Sequence, residues 1–162
     1  MNIFATSDCP VASAQALDDK RVIKMILETA QLLSMAVNGP YKPTHQNHPC
    51  AIWACATRAN AAWLWRHGMA LCDIYFVRYG RVHACAGPIE DMLSTINDEV
   101  LNSICGDRPT SFQNSARNGE HKLDFTHLPV HEAYRAYLAR RWSTDKRLPT
   151  WGGRAVPQFG QW

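Results

Sequence analysis

Between Tyr41 and Gly68 the chain reads YKPTHQNHPCAIWACATRANAAWLWRHG, and its first ten residues hold two prolines, His45, Asn47, His48 and Cys50. Proline at a first helical position has φ already near the helical value and lacks only an N–H that the first turn leaves unused, so Pro49 marks a helix start. Asn47 or His48 can cap that turn, the asparagine through its side-chain oxygen. The donor- and acceptor-rich loop from Lys42 to His48 therefore sits at a helix N-terminus, where free N–H groups favour anions. It is either one wall of a site or an ordinary capped loop. The spacing H-x-x-H-x-C also invites a metal reading. However, the chain contains neither CxxC nor HExxH, and a fourth ligand would be an arbitrary choice among residues such as His83 and Cys85. Hydrogen bonding or phosphate contact by His45 and His48 is the expectation, with no metal and no cofactor.

Glu28 is the carboxylate that stands out. It lies on a thin polar line (Lys20, Arg21, Lys24, Glu28, Gln31) at helical spacing along an otherwise apolar helix, where it can act as a general acid or base. The plain alternative is a surface Lys24–Glu28 pair contributing a few tenths of a kcal/mol. Other chemistries find no support: GxSxG and GxxxxGK[ST] are both absent, and nothing singles out one of the six cysteines as a nucleophile. Near the C-terminus Trp142, Trp151, Phe159 and Trp162 interleave with Arg140, Arg141, Lys146, Arg147 and Arg154. Such a pattern suits stacking on bases between phosphate-holding cations, or else a tail pinned to the core by its tryptophans. Gly152-Gly153 fits either a close backbone approach or a turn.

The elements that must position these groups are helical. Val22, Ile26, Ala30, Leu33 and Val37 recur at three- and four-residue steps, which predicts a helix from Val11 to about Val37, ended by Gly39-Pro40. A second helical region starts at Pro49, breaks near Thr57 to Asn60 and runs to Tyr79, with Gly80 as its cap. Ile89 to Ile104 reads as a shorter amphipathic helix, Cys105 to Pro129 as loop, and His131 to Trp142 as a last basic helix. Residues 143–162 form an extended basic tail. With no alternating strand pattern, the expected fold is all-α, one compact domain over residues 1–162 with four to five helices. Basic segments at 41–86 and 131–162 flank an acidic one at 87–130, and the two basic ones would form a phosphate-binding face if they meet. No apolar run approaches the roughly 18 residues of a membrane span. The start has no early Lys or Arg and no export signal, which points to reduced thiols in a cytoplasm.

Three stretches resemble the pyrimidine-dimer DNA glycosylases of the endonuclease V type, small all-helical repair enzymes of phages and bacteria. The first is MNIF, leading through Gln15 and Leu17 to a helix that carries an acid. The second is Y-x-x-x-x-x-NHP followed by a helix and RYG (Tyr41, Asn47, His48, Pro49, Arg78, Tyr79, Gly80). The third is RLPTWGGRA, Arg147 to Ala155. The resemblance covers most of the length in outline. It implies that the chain's own α-amine attacks C1′ of a damaged nucleotide flipped from the stack, releases the base and forms a Schiff base; a helix glutamate, here Glu28, then assists strand cleavage. An α-amine has a reference pKa near 8, so a neutral fraction exists at about pH 7. The implied partner is double-stranded DNA or a nucleotide, met by a monomer or an oligomer of unstated size in the cytoplasm, the host's if the gene is a phage's.

Lys20, Arg21 and Lys24 would meet phosphates, joined by Lys42, His45, Asn47, His48, Arg78, Arg81, Arg147, Trp151 and Arg154. The chain departs from the phage pattern at its second residue, which is Asn2 rather than a small residue that permits removal of the initiator. The nucleophile is therefore the Met1 amine, or that of Asn2 after processing. Two other readings stand beside this one: an enzyme acting on a nucleotide or modified DNA base without Schiff-base chemistry, and a non-catalytic helical protein that binds nucleic acid or a host partner.

Overall fold

Where the hydrophobic pattern runs unbroken from Val11 to Val37, the backbone divides into two helices. The computed structural model describes residues 2–42, 44–96 and 109–160. In it α1 spans Pro10–Ala16 and α2 spans Asp19–Val37, separated by an extended Leu17 (ψ 139°). The break has two visible causes. Leu17 is buried in the core. The carbonyls at the end of α1 are taken by the C-terminal tail: Arg154 donates to Gln15 O (2.7 Å) and Leu17 O (3.0 Å), and the Trp151 indole N–H to Ala16 O (3.1 Å). A long-range cap thus replaces the turn that would have continued the helix, a contact that helical periodicity does not register. At the other end of α2, Asn38 adopts the left-handed conformation (φ 55°), ending the helix just before Gly39-Pro40.

After the His48 cap come α3 (Pro49–Ala56) and α4 (Arg58–Tyr79), with Thr57 extended between them and accepting from Asn60 N. Gly80, at φ 65°, closes α4. α4 is the central helix and packs against α1, α2, α3 and α5. Its Gly68 permits the closest approach to α2, because a Cβ there would lie 2.7 Å from the Thr29 methyl. α5 (Ala86–Asp91) starts earlier than its apolar pattern suggests, since Pro88 falls in the first turn, where no N–H is needed. It passes into a 3₁₀ turn at Met92–Thr95 and is extended at Ile96, so the helix expected to reach Ile104 is shorter in its described part. The rest of that expected helix lies outside the described residues, as do the first residues of the loop after it.

The expected loop up to Pro129 holds a two-strand hairpin, β1 (Arg117–Asn118) and β2 (Leu123–Asp124), antiparallel with Arg117 opposite Asp124. Two residues per strand are too few to show an alternating pattern. α6 (Val130–Thr144) follows, then the tail, which ends in a 3₁₀ turn at Gln158–Gly160. Trp142 of α6 meets Trp151 edge-on at 5.1 Å and stacks on Phe159 at 5.7 Å, so the tail is pinned by its aromatics. One buried cluster runs from Ile3 to Trp151 and takes in residues of every helix from α1 to α6. The protein is all-α apart from the small hairpin. Among the described residues no helix is long and apolar enough to cross a membrane, and the cysteines are free thiols.

Candidate functional site

Glu28 lies on the polar line of α2 with its side chain 12% exposed, where α2 meets the N-terminal segment. Its Oε2 accepts the backbone N–H of Asn2 at 2.8 Å, and its Oε1 faces Lys24 Nζ at 3.3 Å. Lys24 is mostly exposed, so that ion pair contributes little, whereas the bond to Asn2 is short and sheltered. The N-terminal segment beside it is held in an unusual bend. Phe4 has φ 52°, rare for a residue with a side chain, and the Asn2 Oδ1 accepts from Ile3 N (2.8 Å) and Phe4 N (3.2 Å). The Phe4 ring sits 5.9 Å from both Tyr134 and Tyr137 of α6. Burial of Ile3, Phe4 and Ala5 thus fixes the first residues in the core and presents the Asn2 nitrogen to the Glu28 carboxylate. Met1 lies outside the described residues.

In front of this pair opens a cavity of about 870 Å³. The first third of the chain lines it with Asn2, Phe4, Lys20, Arg21, Lys24, Met25, Glu28, His48 and Pro49. His48 caps α3, its Nδ1 accepting the Cys50 N–H at 3.2 Å. Burial, helped by nearby positive charge and opposed by Glu28, holds its imidazole below the ordinary pKa. Arg21 is a buried cation clamped between Asp18 (2.7 Å) and Asp145 (2.9 Å); Asp145 also takes Arg141 at 3.1 Å. The acids keep these two guanidiniums in place, while Lys20 and Lys24 stay exposed at the rim.

The second half supplies the opposite wall: Asn114, Ser115, Arg117, Asn118, Thr126, Tyr137 and Arg141. The loop is tied by Asn114, which donates to Thr126 O and Leu128 O and accepts from Ala116 N. It is tied again by the buried Tyr134 hydroxyl, which donates to Gln113 O (2.8 Å) and accepts from Ser115 N (3.2 Å). Of these the sequence singled out only Arg141, as one of the cations interleaved with the C-terminal aromatics. Arg117 sits inside the net-acidic segment, which hides its charge. Arg141 follows Tyr137 by one turn of α6, and this i,i+4 spacing places both on the cavity.

Of the residues expected to form a site, Asn2, Lys20, Arg21, Lys24, Glu28 and His48 converge on this cavity. Lys42, His45 and Asn47 are exposed on the loop before α3 and do not line it. Arg78 and Arg154 border a separate hollow of about 160 Å³ beside Gly152, and both bind Asp19, at 2.9 and 3.1 Å. Arg81 donates to the Tyr75 hydroxyl at 3.0 Å, at the end of α4, and Arg147 is exposed on the tail. Trp151 is 7% exposed and its indole N–H is committed to Ala16 O; the ring is a packing group and has no free face for a base. Gly152-Gly153 makes a close approach, but to Arg78 of the same chain. Among the described residues no three His, Cys, Asp or Glu side chains gather as a metal site, and burial pushes the Cys50 thiol pKa up.

The family described as pyrimidine dimer DNA glycosylase matches residues 1–85, a span that holds Asn2, Lys20, Arg21, Lys24, Glu28 and His48 and stops short of the opposite wall. No curated protein and no solved structure gives a significant match.

Proposed function

The chain belongs to the pyrimidine dimer DNA glycosylase family, and on that premise we propose that it is a DNA glycosylase and abasic-site lyase acting on damaged or modified pyrimidines in duplex DNA. The observation that carries this reading is the 2.8 Å bond between the Asn2 nitrogen and Glu28 Oε2 inside a cation-lined cavity. If the initiator is removed, that nitrogen is itself the α-amine, already beside its proton acceptor. If Met1 is retained, three covalent bonds separate its amine from the Asn2 nitrogen. The amine lone pair attacks C1′, the C1′–N1 bond breaks, and the base leaves with the bonding electrons. Glu28 takes the proton lost by the amine. The sugar ring then opens: the nitrogen lone pair forms the C1′=N iminium as the C1′–O4′ bond breaks, and O4′ takes the proton that Glu28 received. In this Schiff base the iminium acidifies the 2′ carbon; a proton leaves from there and the 3′ phosphate is expelled.

A volume of about 870 Å³ is ample for a nucleotide turned out of the helix. Lys20, Lys24 and Arg117 at the rim suit the flanking phosphates, while Arg21 and Arg141, neutralised by Asp18 and Asp145, add fixed N–H groups to the lining and no net charge. Borohydride trapping on ultraviolet-irradiated and on abasic duplex DNA tests the reading. The expected result is a covalent adduct whose mass identifies Met1 or Asn2. Glu28→Gln should lower trapping about 100-fold or more while leaving DNA affinity within a fewfold. Absence of any adduct with the intact protein refutes the amine chemistry.

A further inference from the structure

His48 is held in one tautomer by the fold. A backbone N–H can donate only to a ring nitrogen that bears a lone pair, so the bond from Cys50 N to Nδ1 leaves the imidazole proton on Nε2. Two further constraints fix the ring. The residue before a proline is confined to extended backbone, and His48 has ψ 137° ahead of Pro49; its position as cap ties the ring to the first turn of α3. His48 is half-buried and lines the cavity that also holds Glu28 and Asn2, and Nε2 has no hydrogen-bond partner among the described residues. The cavity is therefore lined by a neutral N–H donor, its tautomer set by the fold, that no described residue uses.

A neutral donor is a poor phosphate ligand beside exposed Lys20 and Arg117, which do that work better. It suits an oxygen that is neutral in the bound substrate and turns anionic as reaction proceeds, because such a bond strengthens only toward the transition state. When the glycosidic bond breaks, that oxygen is the O2 carbonyl of the departing pyrimidine, over which the N1 electron pair is delocalised. We propose that His48 is a catalytic residue of base release, its Nε2–H hydrogen-bonding the pyrimidine O2 as the C1′–N1 bond breaks. No proton is transferred from His48; the released base anion takes its proton from water, and the amine's proton goes to Glu28. Burial, which keeps the imidazole neutral, fits this role. The inference rests on the amine-attack reading above and assigns the second half of that step.

The test separates base release from the chemistry after it. His48→Asn keeps an effective N-cap for α3 but removes the Nε2 donor, and His48→Ala removes both. Single-turnover cleavage of the 5′ glycosidic bond in a duplex carrying one cis–syn thymine dimer, read as free thymine after photoreversal of the cyclobutane ring, is compared with borohydride trapping on the same duplex carrying an abasic site. With His48→Asn, base release should fall about 100-fold, while trapping on abasic DNA, where no base departs, should stay within about threefold. Equal losses in both assays, or no loss in either, overturn the role of His48 while leaving the amine chemistry intact. Failure of the unaltered protein to trap on abasic DNA refutes the amine chemistry first, and His48's role with it. Should His48→Asn fold poorly, nitrogen-15 NMR of the histidines in the unaltered protein decides: a proton on Nδ1 of His48 at neutral pH refutes the proposal.

Discussion

Asp19 ties the tail to the start of α2, and its removal has a calculable consequence. The carboxylate is 7% exposed and accepts three side-chain hydrogen bonds: Arg78 Nε at 2.9 Å, Thr150 Oγ1 at 2.9 Å and Arg154 Nη2 at 3.1 Å. Asp19→Ala deletes all three. Bonds to charged groups contribute roughly 1.5–3 kcal/mol each, and a neutral hydroxyl bond about 1. Arg78 is 43% exposed and recovers water readily, so its bond counts near zero to 1 kcal/mol. Arg154 keeps its bonds to Gln15 O and Leu17 O, which limits its loss as well. A total of about 3 kcal/mol follows, or roughly 9 °C in Tm for a chain of this size at about 3 °C per kcal/mol. Thr150→Val, which removes only the hydroxyl bond, should cost about 1 kcal/mol. Urea titration and calorimetry read both. A Tm change under 2 °C for Asp19→Ala, or one no larger than that of Thr150→Val, refutes the argument that the carboxylate is the tail's anchor.

Gly152 has φ 55°, and a Cβ there would collide with the middle of the Arg78 side chain, whereas Gly153 at φ 87° faces open space. Gly152→Ala should therefore destabilise by more than the roughly 1–2 kcal/mol of backbone strain, and by more than Gly153→Ala in the same urea assay. His67 is fully buried on α4, its Nδ1 on Pro10 O at 3.1 Å and its Nε2 without a partner among the described residues; burial lowers its pKa to about 4. The folded value lies below the unfolded one, so between about pH 6.5 and 4 only the unfolded chain binds the proton. Its contribution is intact above that window, and about 3 kcal/mol is lost as pH falls through it, a slope that His67→Phe should flatten in unfolding measured from pH 7 to 4.5. Arg117→Ala should weaken binding to all duplexes alike and reduce the steepness of log K against log salt by about one, read by fluorescence anisotropy; an unchanged slope removes Arg117 from the interface.

The parts of the fold legible in the sequence were those set by local rules. Pro49, Thr57 and Gly80 mark the ends of α3 and α4 because capping and proline geometry act within one turn. The division of α1 from α2 was not legible, because its cause is Arg154 and Trp151, more than 130 residues away. The same distinction holds for the cavity. Glu28, Lys20, Arg21 and Lys24 share a helix, so periodicity groups them, and His48 is marked by its proline. Asn114, Arg117 and Asn118 reach the cavity through the folding of an irregular loop about Asn114 and the Tyr134 hydroxyl, for which spacing offers no pattern. Charge blocks placed Arg154 and Arg78 with the DNA-facing cations; the structure pairs both with one buried acid.

On the proposed amine chemistry, the nucleophile's neighbourhood comes from the first fifty residues and its facing wall from residues beyond 113, so synthesis delivers the two at different times. A chain still emerging from the ribosome already exposes its amino group and Glu28, but has no enclosure in which to hold a nucleotide. Competence to cut DNA would thus arrive only when α6 docks, which couples the onset of a hazardous activity to the completion of the polypeptide.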